Sequence, residues 1–580
     1  MKKFLFLLGT TSLLFILMLA FRHKRNTNID NREALKQLEL KKLTSIGCGS
    51  NLDFEELEET YMPLLPGWGS YAVPITTSSD SAQIYFNQGI NMYYAFHIIE
   101  AMGSFKKAER FDPNCAMVYW GEALAYGPNI NDYGYSASPD ALVANKKALE
   151  LSAMCTPKEK ALINAQQVRY SADSTESREK LNQLYVDAMK AASESIPTDA
   201  DISALYADAL MIQHPWDLYE HNGQPKPWTP LITTVLEKTL QLSPQHPGAN
   251  HYYIHTVEGS LHPERGLTAA RQLPGLMPGV SHLVHMPSHI YIRTGNYAEG
   301  EEVNEQAIKG YAGYLKDYPS VINGAFLYQL HNQHLQVACA QMEGRFAYSV
   351  KASNDCQHNI DSSYMDAGGY MGTYSQYVFM TPYFTLIRFG QWNDILKEKN
   401  VGEQRVYGSY IYHFGRGLAF ARKHLFSDAT HELEAMRQLM KDSVMQVAAS
   451  TFNPPIAGAN VGEKIVEGVI AAERNDLKNA ISLLQKAVES EDNMMYAEPK
   501  DWPLPARHYL GAVLLKAGKN VEAAKVYNDD LKTNPNNGWA LSGLWQSLMA
   551  QKKTKEAATV KTRLSKAFAR ADLPIKQSAL

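Results

Sequence analysis

Nine of the eighteen histidines fall between residues 246 and 334. Seven of them form short groups: His251 and His255, then His282, His285 and His289, then His331 and His334. Within each group the offsets are three, four or seven, which lie on one face of a helix. The groups also echo one another. His251 to His285 and His255 to His289 are each thirty-four residues, while His282 to His331 and His285 to His334 are each forty-nine, an echo lengthened by fifteen. Imidazole is a ligand for transition metals and a general acid or base near neutrality. Packed helices lie about 8–10 Å apart and metal–imidazole bonds are about 2.0–2.1 Å, so histidines on neighbouring helices can close on one ion. With cysteine absent from the set apart from the nearby Cys339, the ion expected is zinc, copper, iron or nickel held by nitrogen. The expectation is that all seven converge on one cavity, at least four share one ion, and Glu258 stands one turn below His255 on the same wall. An open coordination position would make the site catalytic, and a closed tetrahedron would make it structural.

Single histidines on apolar faces are mostly core residues bonded to a carbonyl, and that reading suits His246, His262 and His508. It suits the aligned seven less well, because so many unpaired imidazoles repel once protonated below about pH 6.5. Pro287 interrupts the central group, and a mid-helix proline kinks or starts a helix. If a helix starts there, His282 and His285 sit on the preceding turn. Tyr252, Tyr253 and Tyr291 read as inter-helix packing. The candidates for acid/base work are Glu258 and Glu100. No HExxH, G-x-S-x-G, phosphate loop or dinucleotide fingerprint occurs, so no nucleotide cofactor is expected.

The elements that must position these residues follow from the period. Thirty-four residues is one tetratricopeptide helix–turn–helix. Its small–small–aromatic–proline signature is present as Gly89, Ala101, Phe105, Ala108 and Pro113, and again as Gly511, Ala523, Tyr527 and Pro535. Weaker copies use Gly417, Ala429 and Leu433, and Gly468, Ala480, Leu484 and Ala487. Small residues let two antiparallel helices approach, and the proline stops the second. Residues 177–195 and 199–212 keep helical periodicity, and 538–570 reads as a terminal helix pair followed by a short polar tail. The fold class expected is all-α, an α-solenoid of antiparallel helix pairs. Three stretches interrupt it, 127–139, 214–230 and 365–377, either as functional loops or as plain excursions between repeats.

The chain divides into a signal peptide or membrane anchor at 1–25, a linker and N-terminal segment with at most one short strand at 26–80, an N-terminal array with the histidine groove at 81–345, and a C-terminal array and cap at 346–580. The apolar run Phe4–Phe21 is followed by a basic flank and no good cleavage site, so the body is expected to be exported, periplasmic or membrane-anchored facing outwards. Five cysteines, odd in number, make no disulfide scaffold, although one bridge would fit an oxidising compartment. A net charge of −4 gives no electrostatic footprint for nucleic acid.

These residues resemble tetratricopeptide proteins and, more narrowly, a group of exported bacterial ones, through DPNCAMVYWGEALAYGPNIN (112–131), HYYIH, HMPSHIYIR and EPKDWPLPARHYLGAVLL (498–515). The likeness covers most of residues 70–570. It departs at His97-Ile98-Ile99-Glu100, where relatives tend to carry Asn-His-Glu-Glu, so only Glu100 matches. The resemblance implies that the second, fifth and ninth positions of each repeat's first helix line a concave groove. His251 and His255 then take the fifth and ninth positions of one helix. His282, His285 and His289 take the second, fifth and ninth of the next, and His331 and His334 the second and fifth of a third. Three functions follow as expectations: a scaffold binding a peptide or protein partner with a transition metal in its groove, a metal-dependent oxidative or hydrolytic enzyme acting on a small molecule, or a metal-free peptide scaffold.

Overall fold

The computed structural model describes residues 62–131, 137–317, 325–448 and 452–580. The expected signal or anchor at 1–25 lies outside them, as does Cys48. The chain is an all-α solenoid of antiparallel helix pairs, and the described residues contain no strand beyond a single bridge between Tyr219 and Pro225. Residues 62–79, where one short strand was allowed for, are irregular before the first helix.

Each signature position has a visible cause. Asp80–Tyr94 and Ile98–Phe111 pack as a pair because Gly89 faces the Phe105 ring, where an added Cβ would sit 2.6 Å from a ring carbon. Gly121 of the next helix, Ala116–Ala125, presses the same ring from its other side at 2.5 Å. Phe105 is thus fully buried, a side chain whose burial is worth about 1.5–3 kcal/mol. The device returns at the far end, where Gly511 and Gly543 hold the Tyr527 ring between them. The pairs Val406–Arg422 with Phe426–Leu439, Pro455–Glu473 with Leu477–Asp492, and Gly538–Ala550 with Thr554–Ala567 complete the C-terminal array.

Two expectations change. The stretch 365–377 is mostly helical, divided between Ser362–Met365 and Gly369–Phe379. The C-terminal tail is packed: Ser578 and Ala579 are buried, and the Ser578 hydroxyl donates to the His508 carbonyl at 2.8 Å. The four described cysteines are buried and free. Of the three single histidines, His246 and His508 are buried, the first accepting from the Ala249 amide and the second bonded to Asp530. His262 is exposed beside Glu264.

The array turns back on itself, and this is what encloses the histidines. Arg570 reaches Glu301 and Glu343 at 2.7 and 3.0 Å, and the Trp539 indole donates to the Gln341 carbonyl at 2.9 Å. The segment around Tyr496 thereby comes against the helix that carries Glu258.

Candidate metal centre

Three helical segments supply the imidazoles. Pro247–Glu258 starts at a proline in its first turn, capped by the His246 ring, and presents His251, His255 and Glu258 on one face. Pro287 starts a new helix, Pro287–Thr294, directly after Ser281–His285. Met286 between them keeps helical torsions (φ −48°, ψ −36°), so His282, His285 and His289 stay on one face despite the proline. Ala325–Met342 carries His331 and His334.

The seven do not close on a single ion. Six of them form two clusters of three. His251, His255 and His282 make the first, and His285, His289 and His331 the second, with the ligand nitrogens of each within 4.8 Å of one another. The repeat explains the division. Each cluster takes the fifth and ninth positions of one repeat and the second position of the next, so the thirty-four-residue echo copies a site along the solenoid. His334 takes a fifth position whose ninth-position companion is Ala338, and it joins neither cluster. It lies instead against the Tyr377 ring, centroids 5.2 Å apart, with burial lowering its pKa to about 4.

The ring tautomers are set by what the Nδ1 atoms touch. His251 Nδ1 lies 2.7 Å from the Tyr94 carbonyl oxygen and must donate to it. His255 Nδ1 and His289 Nδ1 donate to the two oxygens of the Glu258 carboxylate, at 2.9 and 2.5 Å. His285 Nδ1 donates to Asn304 Oδ1 at 2.6 Å, and the Asn304 amide in turn donates to the Gly300 carbonyl. Acceptors of this kind behind the ring are the usual second shell of a metal-bound histidine. His251, His255 and His285, neutral, therefore turn bare Nε2 lone pairs inwards, and His289 turns its Nε2 the same way. In the first cluster Nε2 of His251 is 3.1 Å from that of His255 and 3.1 Å from that of His282. In the second, Nε2 of His289 is 2.9 Å from that of His285 and 3.3 Å from that of His331. Bonds of 2.0–2.1 Å at tetrahedral angles place ligand nitrogens about 3.3–3.4 Å apart. The clusters are close to that spacing.

Burial, then neighbouring imidazoles, push His251, His282, His285 and His331 well below the ordinary histidine range, and burial lowers His255. These rings are neutral at pH 7 and free to act as ligands. His289 runs the other way: burial disfavours its charge, but Glu258 outweighs that and raises it. Burial likewise pushes Glu258 up, and His289 with His255 more than reverses it, leaving a carboxylate. A proton on His289 would satisfy its contact with His285. No such proton serves His251 and His255, whose Nε2 lone pairs face each other.

Over the clusters lies a cavity of about 190 Å³. His255 and His282 of the first cluster and His289 and His331 of the second line it, as do His334 and Glu258, while His251 and His285 stand behind. All three interrupting stretches reach its walls, through Asn131, Trp216 and the tyrosines of 370–377. Burial raises two further wall carboxyls, Glu498 to about 7 and Asp501 to about 6. Glu100 does not line the cavity. It accepts from the Tyr314 hydroxyl at 2.8 Å and pairs with His97 Nδ1 at 3.1 Å, behind the Tyr328 ring that stacks on His97. Tyr252 and Tyr253 are buried packing residues, as expected, whereas Tyr291 is half-buried.

Spacing alone misses Tyr94, Tyr496 and Glu498, which come from distant segments, and Asn304, which lies 19 residues after His285. Glu498 lies in EPKDWPLPARHYLGAVLL, one of the stretches that carry the resemblance. Phe96 and Trp216 were likewise unsignalled, and both hold left-handed backbone (φ 59° and 58°) that non-glycine residues rarely adopt. Phe96 lies against His251 at 4.6 Å between centroids, and Trp216 meets His255 edge-on at 5.1 Å. The same backbone recurs in turns away from the cavity, at His424, Asn475, Asn536 and Lys552, so it does not itself mark the site.

No known protein family and no curated protein matches the chain. Among solved structures it is similar to a human IFIT1 dimer with m7Gppp-AAAA (13% identity, 85% of this chain and 92% of that one, TM-score 0.30). It is also similar to yeast Tom70 (10%, 85% and 92%, 0.25) and to the TPR domain of P58(IPK) (10%, 82% and 99%, 0.21). Scores this low carry no inference about function or partner.

Proposed function

We propose that the two histidine clusters each bind one transition-metal ion, of the zinc, copper, iron or nickel class, and that the solenoid is the rigid frame holding the pair. The observation that carries this reading is the 3.1 Å contact between Nε2 of His251 and Nε2 of His255, two rings whose Nδ1 atoms are committed as donors elsewhere. A cation between those lone pairs turns repulsion into bonding. All-imidazole donors favour these metals over magnesium, calcium or manganese, which prefer oxygen. Metal analysis of natively purified full-length protein tests it: two equivalents per chain are expected, and none after reconstitution with any of the four metals would refute it.

Within this reading a metal-dependent enzyme is favoured over a plain scaffold, because each cluster turns two of its three rings towards a cavity. Three protein ligands leave a fourth position for water or substrate. Glu258, bonded to a ring of each cluster, orients ligands and holds their protons at Nδ1. A metal-free peptide scaffold would leave the facing lone pairs unexplained. Export, suggested by Phe4–Phe21, belongs to the same reading. Fractionation finding full-length protein free in the cytoplasm would overturn that part alone.

A further inference from the structure

The walls of the cavity above the clusters restrict what can enter. Seven aromatic side chains of the described residues line it, among them Trp216, Tyr328, Tyr374, Phe452 and Tyr496. Aromatic walls favour an aromatic guest beyond simple burial. Size narrows the class. A dry cavity of about 150 Å³ accommodates benzene, so about 190 Å³ admits one substituted ring. Charge narrows it again. Glu258, Glu498 and Asp501 line the cavity and no lysine or arginine among the described residues does, so cationic partners for the guest would come from the histidine floor alone.

Hydrogen bonding supplies the last restriction. Glu498 accepts the Tyr496 hydroxyl at 2.8 Å through Oε1, while its Oε2 is buried with no partner. A buried carboxyl oxygen without a partner is costly, and a hydroxyl group on the guest would relieve it. The Tyr496 hydroxyl contacts both Glu498 and Glu258, so Glu498 stands beside the histidine floor, and a second oxygen on the adjacent ring carbon would face the metal positions.

We infer that the cavity binds a small catechol, its ring among the aromatic walls, one oxygen towards the two histidine clusters and the adjacent hydroxyl hydrogen-bonded to Glu498. This rests on the two-metal reading, and its test keeps the two separable. Natively purified protein of measured metal content is titrated calorimetrically with catechol, with trans-1,2-cyclohexanediol (the same hydroxyls without the aromatic ring) and with 1,2-dimethoxybenzene (the ring without hydroxyl hydrogens). Catechol is expected to bind about tenfold more tightly than either, and Glu498→Leu to weaken catechol about tenfold with metal content unchanged. Metal-loaded protein that binds catechol no better than cyclohexanediol overturns this inference and leaves the metal reading standing. Protein that takes up no metal overturns both. If Glu498→Leu fails to fold, Glu498→Gln serves instead, with a smaller loss of catechol affinity expected. Unchanged affinity in a folded variant contradicts the role given to Glu498.

Discussion

His289 Nδ1 lies 2.5 Å from Glu258 Oε2, so the second histidine cluster is fastened to the helix that carries the first. The other oxygen of the same carboxylate holds His255. One residue serves both clusters because the position equivalent to Glu258 one repeat later is Ile292.

Glu258→Leu, which removes both acceptor oxygens, should therefore weaken metal binding at both clusters. Loss of a carboxylate behind a ligating histidine costs about 10–100-fold in affinity. Competition with a chromophoric chelator should show both equivalents released at lower chelator concentration, with helix content unchanged by circular dichroism. Loss confined to one equivalent would contradict the shared role.

Asn304→Ala separates the clusters. Asn304 orients His285 alone, so only the second equivalent should weaken, by about tenfold. The same chelator titration should become biphasic.

Acid should destabilise the C-terminal array through Asp530. Burial pushes its carboxyl up, but the charges of His508 and Lys500 and the Asn537 amide outweigh this and hold it at about 2. Its folded pKa lies below its unfolded value of about 3.9, so its contribution is present above about pH 4 and disappears as pH falls towards 2. Denaturant unfolding of Asp530→Asn followed between pH 6 and pH 2 should lose this part of the slope. An unchanged slope would show that the pairing with His508 contributes nothing.

Gly89→Ala tests the packing that sets the repeat. The new Cβ would meet the buried Phe105 ring at 2.6 Å, and overpacking of this kind costs about 1–3 kcal/mol. The thermal midpoint should fall, while the metal content of protein folded at low temperature should not.

Much of the solenoid was legible because its packing is local. Gly89 with Phe105, and Gly511 with Tyr527, meet within one repeat, so a short signature encodes each contact. The histidine face was legible for the same reason, since three-, four- and seven-residue offsets are properties of a single helix. The division into two clusters was not read correctly. Equivalent positions in adjacent repeats are separated by a helix-to-helix distance, so the echo from His251 to His285 places them in two separate groups of three. Tyr496 and Glu498 were illegible because closure of the array brings them in from a distant segment, and Tyr94 comes from 157 residues before His251, whereas Asn304 sits only 19 residues after His285 and lacks any distinguishing residue type. Phe96 and Trp216 carry no sequence signal for a left-handed backbone.

The most direct measurement compares the metal content of two double variants. His251→Ala with His255→Ala removes two ligands of the first cluster, and His285→Ala with His289→Ala removes two of the second. With two independent clusters on one frame, each variant should keep one equivalent of metal per chain where the parent holds two, and both should retain their helix content. If either double variant loses all metal while remaining folded, the imidazoles share one ion, and the two-cluster centre is wrong.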